Sequence, residues 1–518
     1  MSKNNQMNIA SNKMLSQFNI YTNKARLFFC SNKTGSFEVF IFIIYIIVLL
    51  IQLPFHEQWE DELQAWLIAR DCSIPRIFYM MRFEGHFALW HLILHPFATL
   101  GLPVITLNII STILCFAASW LLIFHSPFSR IVKISLLLCA PLMYWYPIVA
   151  RCYALVPLLL FLLAVTYNKR RQKLFLFSTI LALLANTHVY MEGFVGAVFI
   201  LLGWELLFKE WTQISKQEKT RRIIALFIVI AGVLIAFLQV VPAFSVTREA
   251  QVRFHSLTEY ITRFMMINKS FMTYYMFIGN PIICTIFWFT LLFFLFLIFK
   301  KSLPIFFITV TSIFWIFLFA TCLYSLASPQ QCYLILFIMI FSSWIVVNTP
   351  KEENKKLSIH SILFSPTTFL CIFVIFSYRM TVLYIPFDLK HPFTSNNVTA
   401  HFIKKNIPIN EKIYIFPTAL STSVISAWLP QHALYSGENQ KQYTYLILNK
   451  NLKRDFSPQH ILRCFDHANN NHYYAIVHRK WVPDFISASD QLHFSISHIY
   501  SSPNIVSPSL TGEIYDIF

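Results

Sequence analysis

A chain of 518 residues that is 56% hydrophobic, 17% aromatic and only 13% charged, with mean hydropathy +0.57, is not a soluble globular protein, whose charged share is about a quarter. Its formal net charge of +17 does not require nucleic acid as a partner, because Lys and Arg of a polytopic membrane protein gather in the cytoplasmic loops. The cysteines are scattered, mostly within apolar runs, and no CxxC or Cys/His spacing marks a metal site or a disulfide framework.

Residues 1–36 are polar and basic (Lys3, Lys13, Lys24, Arg26, Lys33) and read as a cytoplasmic tail. The first apolar run, 39–53, follows a long basic leader and lacks a small-residue cleavage site, so it is expected to stay as an anchor. A loop over 55–102 comes next. It opens on Trp59-Glu60-Asp61-Glu62-Leu63-Gln64-Ala65-Trp66-Leu67-Ile68-Ala69-Arg70-Asp71, an acidic cluster in a chain poor in charge. As a helix, Trp59, Leu63, Trp66 and Leu67 form one apolar stripe, and Asp61 projects almost opposite it with Gln64. Such a helix can lie on the bilayer and turn a carboxylate toward a cleft; a solvated acidic face is the plainer alternative. The amphipathic stretch 73–86 reads as a second interfacial helix. The apolar stretch 87–97, with His91 and His95, is too short to cross alone, since a span takes ~20 residues.

Further apolar runs fall at 103–124, 134–149, 153–167, 174–190, 194–208, 223–242, 281–299, 304–323, 333–347 and 361–378. With the first run they predict about eleven spans. Counted from a cytoplasmic N-terminus, the basic clusters at 129–133, 168–173, 209–222, 300–301 and 351–356 all fall inside, as the positive-inside rule requires, provided that 87–97 does not cross. The same count puts the loop 245–280 outside and makes 37–384 the membrane domain. Residues 385–518, with strands expected at 412–416 and 473–477 and helices at 398–405, 422–429 and 455–467, read as a small α/β domain on the outer face.

Polar residues at the rim of a membrane are expensive and usually functional. At the outer rim the sequence offers Asp61, Glu62, Arg70, Asp71, Arg82, Glu84, His86, Arg151, Tyr153, Asn186, His188, Tyr190 and Glu192, with Arg248, Arg253, His255, Arg263 and Lys269 in the loop 245–280. Carboxylates facing cations beside a bilayer suit a lipid-phosphate substrate: Arg pairs bidentately with phosphate, and a carboxylate can take a proton from an attacking hydroxyl. Plainer readings stand beside these. Arg70–Asp71 reads equally as a local ion pair, His91 and His95 as core histidines, Arg151 as a side chain snorkelling to the headgroups, and the loop cations as headgroup contacts.

Four motifs stand in order: Trp59-x-Asp61-Glu62-x-Gln64-Ala65-Trp66-Leu67-x-Ala69-Arg70-Asp71, Glu84-Gly85-His86-x-x-Leu89-Trp90, Ala150-Arg151-x-Tyr153-Ala154-Leu155 and Ala185-Asn186-x-His188. Together they resemble bacterial membrane proteins of the GT-C glycosyltransferase superfamily, which includes the protein mannosyltransferases and the aminoarabinose transferases of lipid A. The resemblance covers about residues 37–380, with Pro392-Phe393-Thr394-Ser395 resembling the start of the outer domain. It implies a polytopic GT-C-like fold with juxtamembrane helices in the first outer loop, a polyprenyl-phosphate-linked sugar donor and an acidic base in that loop. By motif the base falls on Asp61, with Glu62 beside it; Glu84, His86, Arg151, Tyr153 and His188 become substrate-binding candidates. Two departures stand out. Where relatives carry an Arg-His pair before a late span, this chain has Pro329-Gln330-Gln331-Cys332, so a donor-phosphate contact is either missing or supplied by Arg248 or Arg253. Where many carry an Asp shortly after the arginine, it has Tyr153-Ala154-Leu155.

The expectation is therefore an inverting glycosyltransferase of the bacterial inner membrane. It moves a sugar from the lipid phosphate to a hydroxyl of an envelope glycan, lipid or protein on the outer face, among membrane lipids and without nucleic acid. No cofactor is expected and no metal motif is present; a divalent ion bridging Asp61 and the phosphate stays open. The rival is a transporter or flippase of lipid-linked sugars, which would explain the spans equally but usually shows internal repeats; none is visible here.

Overall fold

The computed structural model describes residues 28, 31, 35–84, 86–208, 211–240, 256–276, 280–299, 302–322, 329–349, 365–416, 423–429, 431–436, 444–447, 473–503 and 515–518. Arg248, Arg253 and His255, the basic clusters at 300–301 and 351–356, and the helix expected at 455–467 lie outside them.

Helix α1 (Ser36–Gln52) leads into the acidic helix α2 (Glu60–Asp71), then α3 (Ile74–Glu84), α4 (Leu89–Thr99), α5 (Thr106–His125) and α6 (Arg130–Leu137). Next come α7 (Leu155–Thr166), α8 (Leu174–Ala185), α9 (Glu192–Leu207), α10 (Lys216–Val240) and α11 (Leu257–Met276). The bundle closes with α12 (Pro281–Phe299), α13 (Leu303–Cys322), α14 (Pro329–Asn348) and α15 (Pro366–Lys390). Among the described residues six stretches are long and apolar enough to cross a membrane: Thr106–His125, Cys152–Lys169, Val189–Leu207, Lys216–Val240, Leu303–Cys322 and Pro329–Asn348. Ser36–Gln52, Leu174–Ala185 and Ile282–Phe293 are apolar but shorter. Many large apolar side chains, such as Phe40, Leu50, Ile113, Ile200, Phe227 and Leu238, face outward, as lipid allows and water does not. The chain is a polytopic helical membrane protein. Helix α4, at 11 residues and ~1.5 Å each, is about 16 Å long, roughly half of a ~30 Å hydrocarbon core.

Two stretches differ from the sequence expectation. The run 134–149 is not a continuous span: α6 stops at Leu137, a π turn occupies Pro141–Trp145, and irregular chain continues to Arg151. Pro141 and Pro147 each lack the N–H that a helix needs. The carbonyls left free in the irregular chain are taken by α5, where Ser111 Oγ donates to Tyr146 O (2.7 Å), Thr112 Oγ1 to Pro147 O (2.8 Å) and Asn108 Nδ2 to Ile148 O (2.8 Å). Irregular backbone at membrane depth survives only when satisfied in this way. The second difference is α11, in a segment read as loop. Ile267, Asn268, Phe271 and Met272 bury one helical stripe there.

Beyond α15, helix α16 (Asn396–Asn406), β1 (Ile413–Phe416), β2 (Leu434–Ser436), β3 (Tyr474–His478), α17 (Val482–Gln491), β4 (Tyr500–Ser501) and β5 (Tyr515–Ile517) follow. They build a five-stranded sheet of order β2-β1-β3-β5-β4, parallel from β2 to β3 and antiparallel at β5 and β4. Strand β1 is buried on both faces: Ile413 and Ile415 pack with α16, Tyr414 and Phe416 with α17. A central strand covered on both sides reads as a continuous apolar run. The short helix expected at 422–429 is a 3-10 turn over Ser423–Ala427.

Candidate active site

Helix α2 starts where the sequence predicts a start. Glu60, Asp61 and Glu62 occupy the first turn and Arg70 the last, matching the helix dipole. Glu62 Oε2 also accepts from the Trp59 N–H at 3.2 Å, the reach-back of a capping box. The helix is more enclosed than a bilayer-surface helix: besides Leu63, Trp66 and Leu67, its Glu62, Gln64, Ala65, Ile68 and Ala69 are buried. His95 Nδ1 donates to Ala69 O at 2.7 Å and locks α4 onto it.

Asp61 is a partly open carboxylate of that helix, its side chain 41% exposed. It accepts from Arg151 Nη1. The Arg151 side chain is only 11% exposed and lies 5.7 Å from the ring centres of both Trp59 and Tyr153, within cation–π reach. Arg151 Nη2 also donates to His86 Nε2 at 2.7 Å. That bond leaves the proton of a neutral imidazole on Nδ1, which is buried without a partner. Behind His86 stands His188, with ring centres 5.3 Å apart. His188 Nδ1 accepts from Tyr190 N (3.2 Å), so its Nε2–H points to the Tyr153 hydroxyl (3.1 Å). Burial and then the Arg151 charge push His86 far below the usual imidazole range and His188 down to about 3. Both rings act as neutral hydrogen-bonding groups.

The residues that bring these side chains together come from distant parts of the chain. Arg151 ends the unwound segment that Asn108, Ser111 and Thr112 hold open. His188 is held by the turn after α8, where Asn186 Nδ2 donates to Gly232 O of α10 at 2.9 Å. A Cβ on Gly232 would stand 2.6 Å from Ala182 Cβ, so glycine is what lets α8 and α10 come this close. Gln239 of α10 then accepts from Ala88 N (2.7 Å) and donates to Asn186 (3.3 Å), tying the His86 turn to the same frame.

Glu62 plays a different part. It is fully buried, and its Oε1 accepts from Asn108 Nδ2 (2.9 Å) and Ala150 N (2.7 Å). Its Oε2 faces His56 Nε2 at 3.0 Å, and His56 Nδ1 faces Asp388 Oδ2 at 2.7 Å, where the Tyr144 hydroxyl also donates at 2.7 Å. Burial alone would lower the basicity of His56. The two carboxylates outweigh it and raise the ring to about 10, so an imidazolium bridges the loop 55–102 and the end of α15. Beside it, Glu57 Oε1 accepts from Thr394 Oγ1 (3.0 Å) and Asn397 N (2.7 Å), and burial raises that carboxyl to about 7. The Pro392-Phe393-Thr394-Ser395 stretch thus docks on the loop 55–102.

Glu84 accepts from Gln64 Nε2 at 2.8 Å, while the same Gln64 amide pairs with both backbone groups of Leu446 (2.7 and 3.0 Å). Glu84 is therefore one link from Asp61's helix. Arg70 and Asp71 form a local pair at 2.7 Å. His56, Asn108, Gln58 and Asp388 were not singled out in the sequence. The available signals were Asn108, Ser111 and Thr112 on one face of an apolar helix, and His56 and Asp388 abutting apolar runs.

No family model matches the chain, and no curated protein matches it. Its fold is similar to that in the crystal structure of ArnT from Cupriavidus metallidurans bound to undecaprenyl phosphate, with a TM-score of 0.46 and 12% identity over 93% of this chain and 98% of that chain.

Proposed function

We propose that this protein is an integral-membrane glycosyltransferase. It takes a sugar from a polyprenyl-phosphate donor and places it on a hydroxyl of an envelope glycan, lipid or protein at the outer face of the bacterial inner membrane. The observation that carries the reading is the pairing of one open carboxylate, Asp61, with one enclosed guanidinium, Arg151, at the mouth of a helical membrane bundle. The four-motif resemblance to GT-C transferases, which includes both residues, supports it.

In this mechanism Asp61 takes the proton of the acceptor hydroxyl as its oxygen attacks the anomeric carbon. The bond from that carbon to the phosphate oxygen breaks, and the lipid phosphate leaves with the electron pair. Attack opposite the leaving group inverts the anomeric centre. Arg151 stabilises the departing phosphate in a site that excludes water, and a guanidinium has more donors than Asp61 and His86 use. The Nδ1–H of His86 is a further donor for the sugar or phosphate. Tyr153 and His188 keep the Arg151–His86 arrangement in register. Arg248 and Arg253 are candidate second phosphate contacts, Glu84 positions the acidic helix, and Glu62 anchors it.

The test is a membrane-vesicle assay with a panel of labelled polyprenyl-phosphate sugars. Loss of transfer in Asp61→Asn and Arg151→Ala at matched expression is expected. No transfer by the parent from any donor, with lipid-linked sugars instead exchanged across the vesicle, would replace this reading by a flippase.

A further inference from the structure

On the far side of Glu62 from Asp61, a cavity of about 530 Å³ opens between the chain leaving α1 and the end of α15. That volume lies in the range of small-molecule sites, roughly 300–1,000 Å³. Neither Asp61 nor Arg151 lines the cavity, and Glu62, with one oxygen on His56 and the other on Asn108 and Ala150, links its wall to the acidic helix. Its lining includes polar groups whose hydrogen bonds are unmet among the described residues. Gln58, 1% exposed, gives its amide N–H to Asn108 Oδ1 at 2.7 Å while its Oε1 has no partner. Asp388, 6% exposed, uses Oδ2 for His56 and Tyr144 while Oδ1 has no partner. Trp428, half-buried in the lining, has an unpaired indole N–H. Buried acceptors and donors left unpaired are costly and ask for a partner.

The mixture selects the ligand class. An anion would satisfy Trp428 and face Lys390, His391 and the His56 ring, but it has no proton to give to Gln58 Oε1 or Asp388 Oδ1. An ammonium would satisfy Gln58 and Asp388 but not the indole N–H, since it only donates. A sugar hydroxyl both donates and accepts, and the C–H face of a pyranose ring can lie on an indole. We propose that this cavity is a carbohydrate subsite. It takes a hydroxyl-rich sugar unit, with Gln58 and Asp388 accepting from its hydroxyls and Trp428 donating its indole N–H to one of them. The inference stands on the cavity and does not depend on the transferase reading.

The experiment uses the full-length protein in lipid nanodiscs, free of glycosidic detergent, and saturation-transfer NMR. The probes are the methyl glycosides of glucose, galactose, mannose and N-acetylglucosamine, with ethanolamine as the competing amine. At least one glycoside should receive saturation on its ring protons. Trp428→Phe, which keeps an aromatic ring and loses the N–H, should weaken that binding roughly 3- to 10-fold, the value of one neutral hydrogen bond. Gln58→Met should do the same, and thermal unfolding of each variant checks that it is folded. Asp61→Asn should bind as the parent does. A dodecyl glycoside that binds more tightly than its methyl counterpart would identify a lipid-borne sugar; equal binding would identify a soluble glycan. The proposal is overturned if no glycoside is saturated, if ethanolamine is preferred, if folded Trp428→Phe and Gln58→Met bind like the parent, or if Asp61→Asn abolishes the signal.

Discussion

Asp61 and Glu62 are adjacent in the sequence and belong to opposite kinds of environment. Asp61 has a single ionic partner and an open side; Glu62 has no exposure and accepts from His56, Asn108, Ala150 and Trp59. A carboxylate with room for a substrate hydroxyl can do chemistry. A carboxylate whose lone pairs are taken up by fixed donors holds structure. One residue of helical rotation, about 100°, separates the two roles, so substitutions at the pair should divide activity from stability.

The largest effect is expected at Asp61. Asn keeps the shape and loses the base, so Asp61→Asn should lower transfer by about 10²–10⁴-fold while thermal unfolding stays close to that of the parent. A variant that transfers at the parental rate would remove Asp61 from the base role and leave Glu84 as the next carboxylate to examine. At Glu62 the order reverses. Glu62→Gln places an amide N–H₂ among groups that already donate and leaves His56 with one carboxylate. Breaking a buried ion pair of this kind costs about 3–5 kcal/mol. The expected readout is a large drop in thermal stability and in folded yield; equal stability of Glu62→Gln and Asp61→Asn would erase the distinction between the two.

Arg151 tests the open side of the comparison. Arg151→Ala should cost about 10²–10³-fold in transfer, the range for a preorganised donor to developing charge. Arg151→Lys should recover only part of it, because the planar fork that spans Asp61, His86 and a phosphate is lost. Full activity of both variants would make the residue a headgroup anchor. The orientation behind this picture has its own check. A cysteine at exposed Ser487 should react with an impermeant maleimide in intact spheroplasts, and one at exposed Ser215 should not. The reverse pattern would put the site on the cytoplasmic face.

The helical membrane class and the acidic helix could be read in the sequence because each is written locally, in apolar runs and in the spacing of Leu63, Trp66 and Leu67. The short length of α4 was equally plain. The role of Glu62 was not, since its partners His56, Asn108 and Asp388 are set by tertiary packing, and His56 and Asp388 lie 332 residues apart. The unwound segment before Arg151 was masked by apolar composition that suits a span, although Pro141 and Pro147 were in view. Helix α11 was missed for the opposite reason: its cations drew attention away from the buried stripe at Ile267, Phe271 and Met272.

The smallest effect, and the one most specific to the enclosed side, is a pH dependence of stability. His56 is raised from its ordinary 6.5 to about 10 in the folded protein. The stability it contributes is fully present below about 6.5 and is lost as pH rises through about 10. Glu57, His86 and His188 titrate lower. Glu57, raised from 4.5 to about 7, also loses stability with rising pH, but mainly between those values. His86 and His188 are depressed, so their contribution is complete above 6.5 and is lost only as pH falls toward the folded value, about 3 for His188. Between pH 7.5 and 9.5 the difference between the parent and His56→Gln therefore isolates the imidazolium bridge. Thermal unfolding across that interval should show the parent losing stability with pH and His56→Gln, less stable throughout, losing much less. Because the bridge joins the loop 55–102 to α15, the same interval should raise amide hydrogen exchange in both segments together. Parallel slopes for the two proteins would mean that His56 is not charged in the folded state, and the contrast between Asp61 and Glu62 would then rest on hydrogen bonds alone.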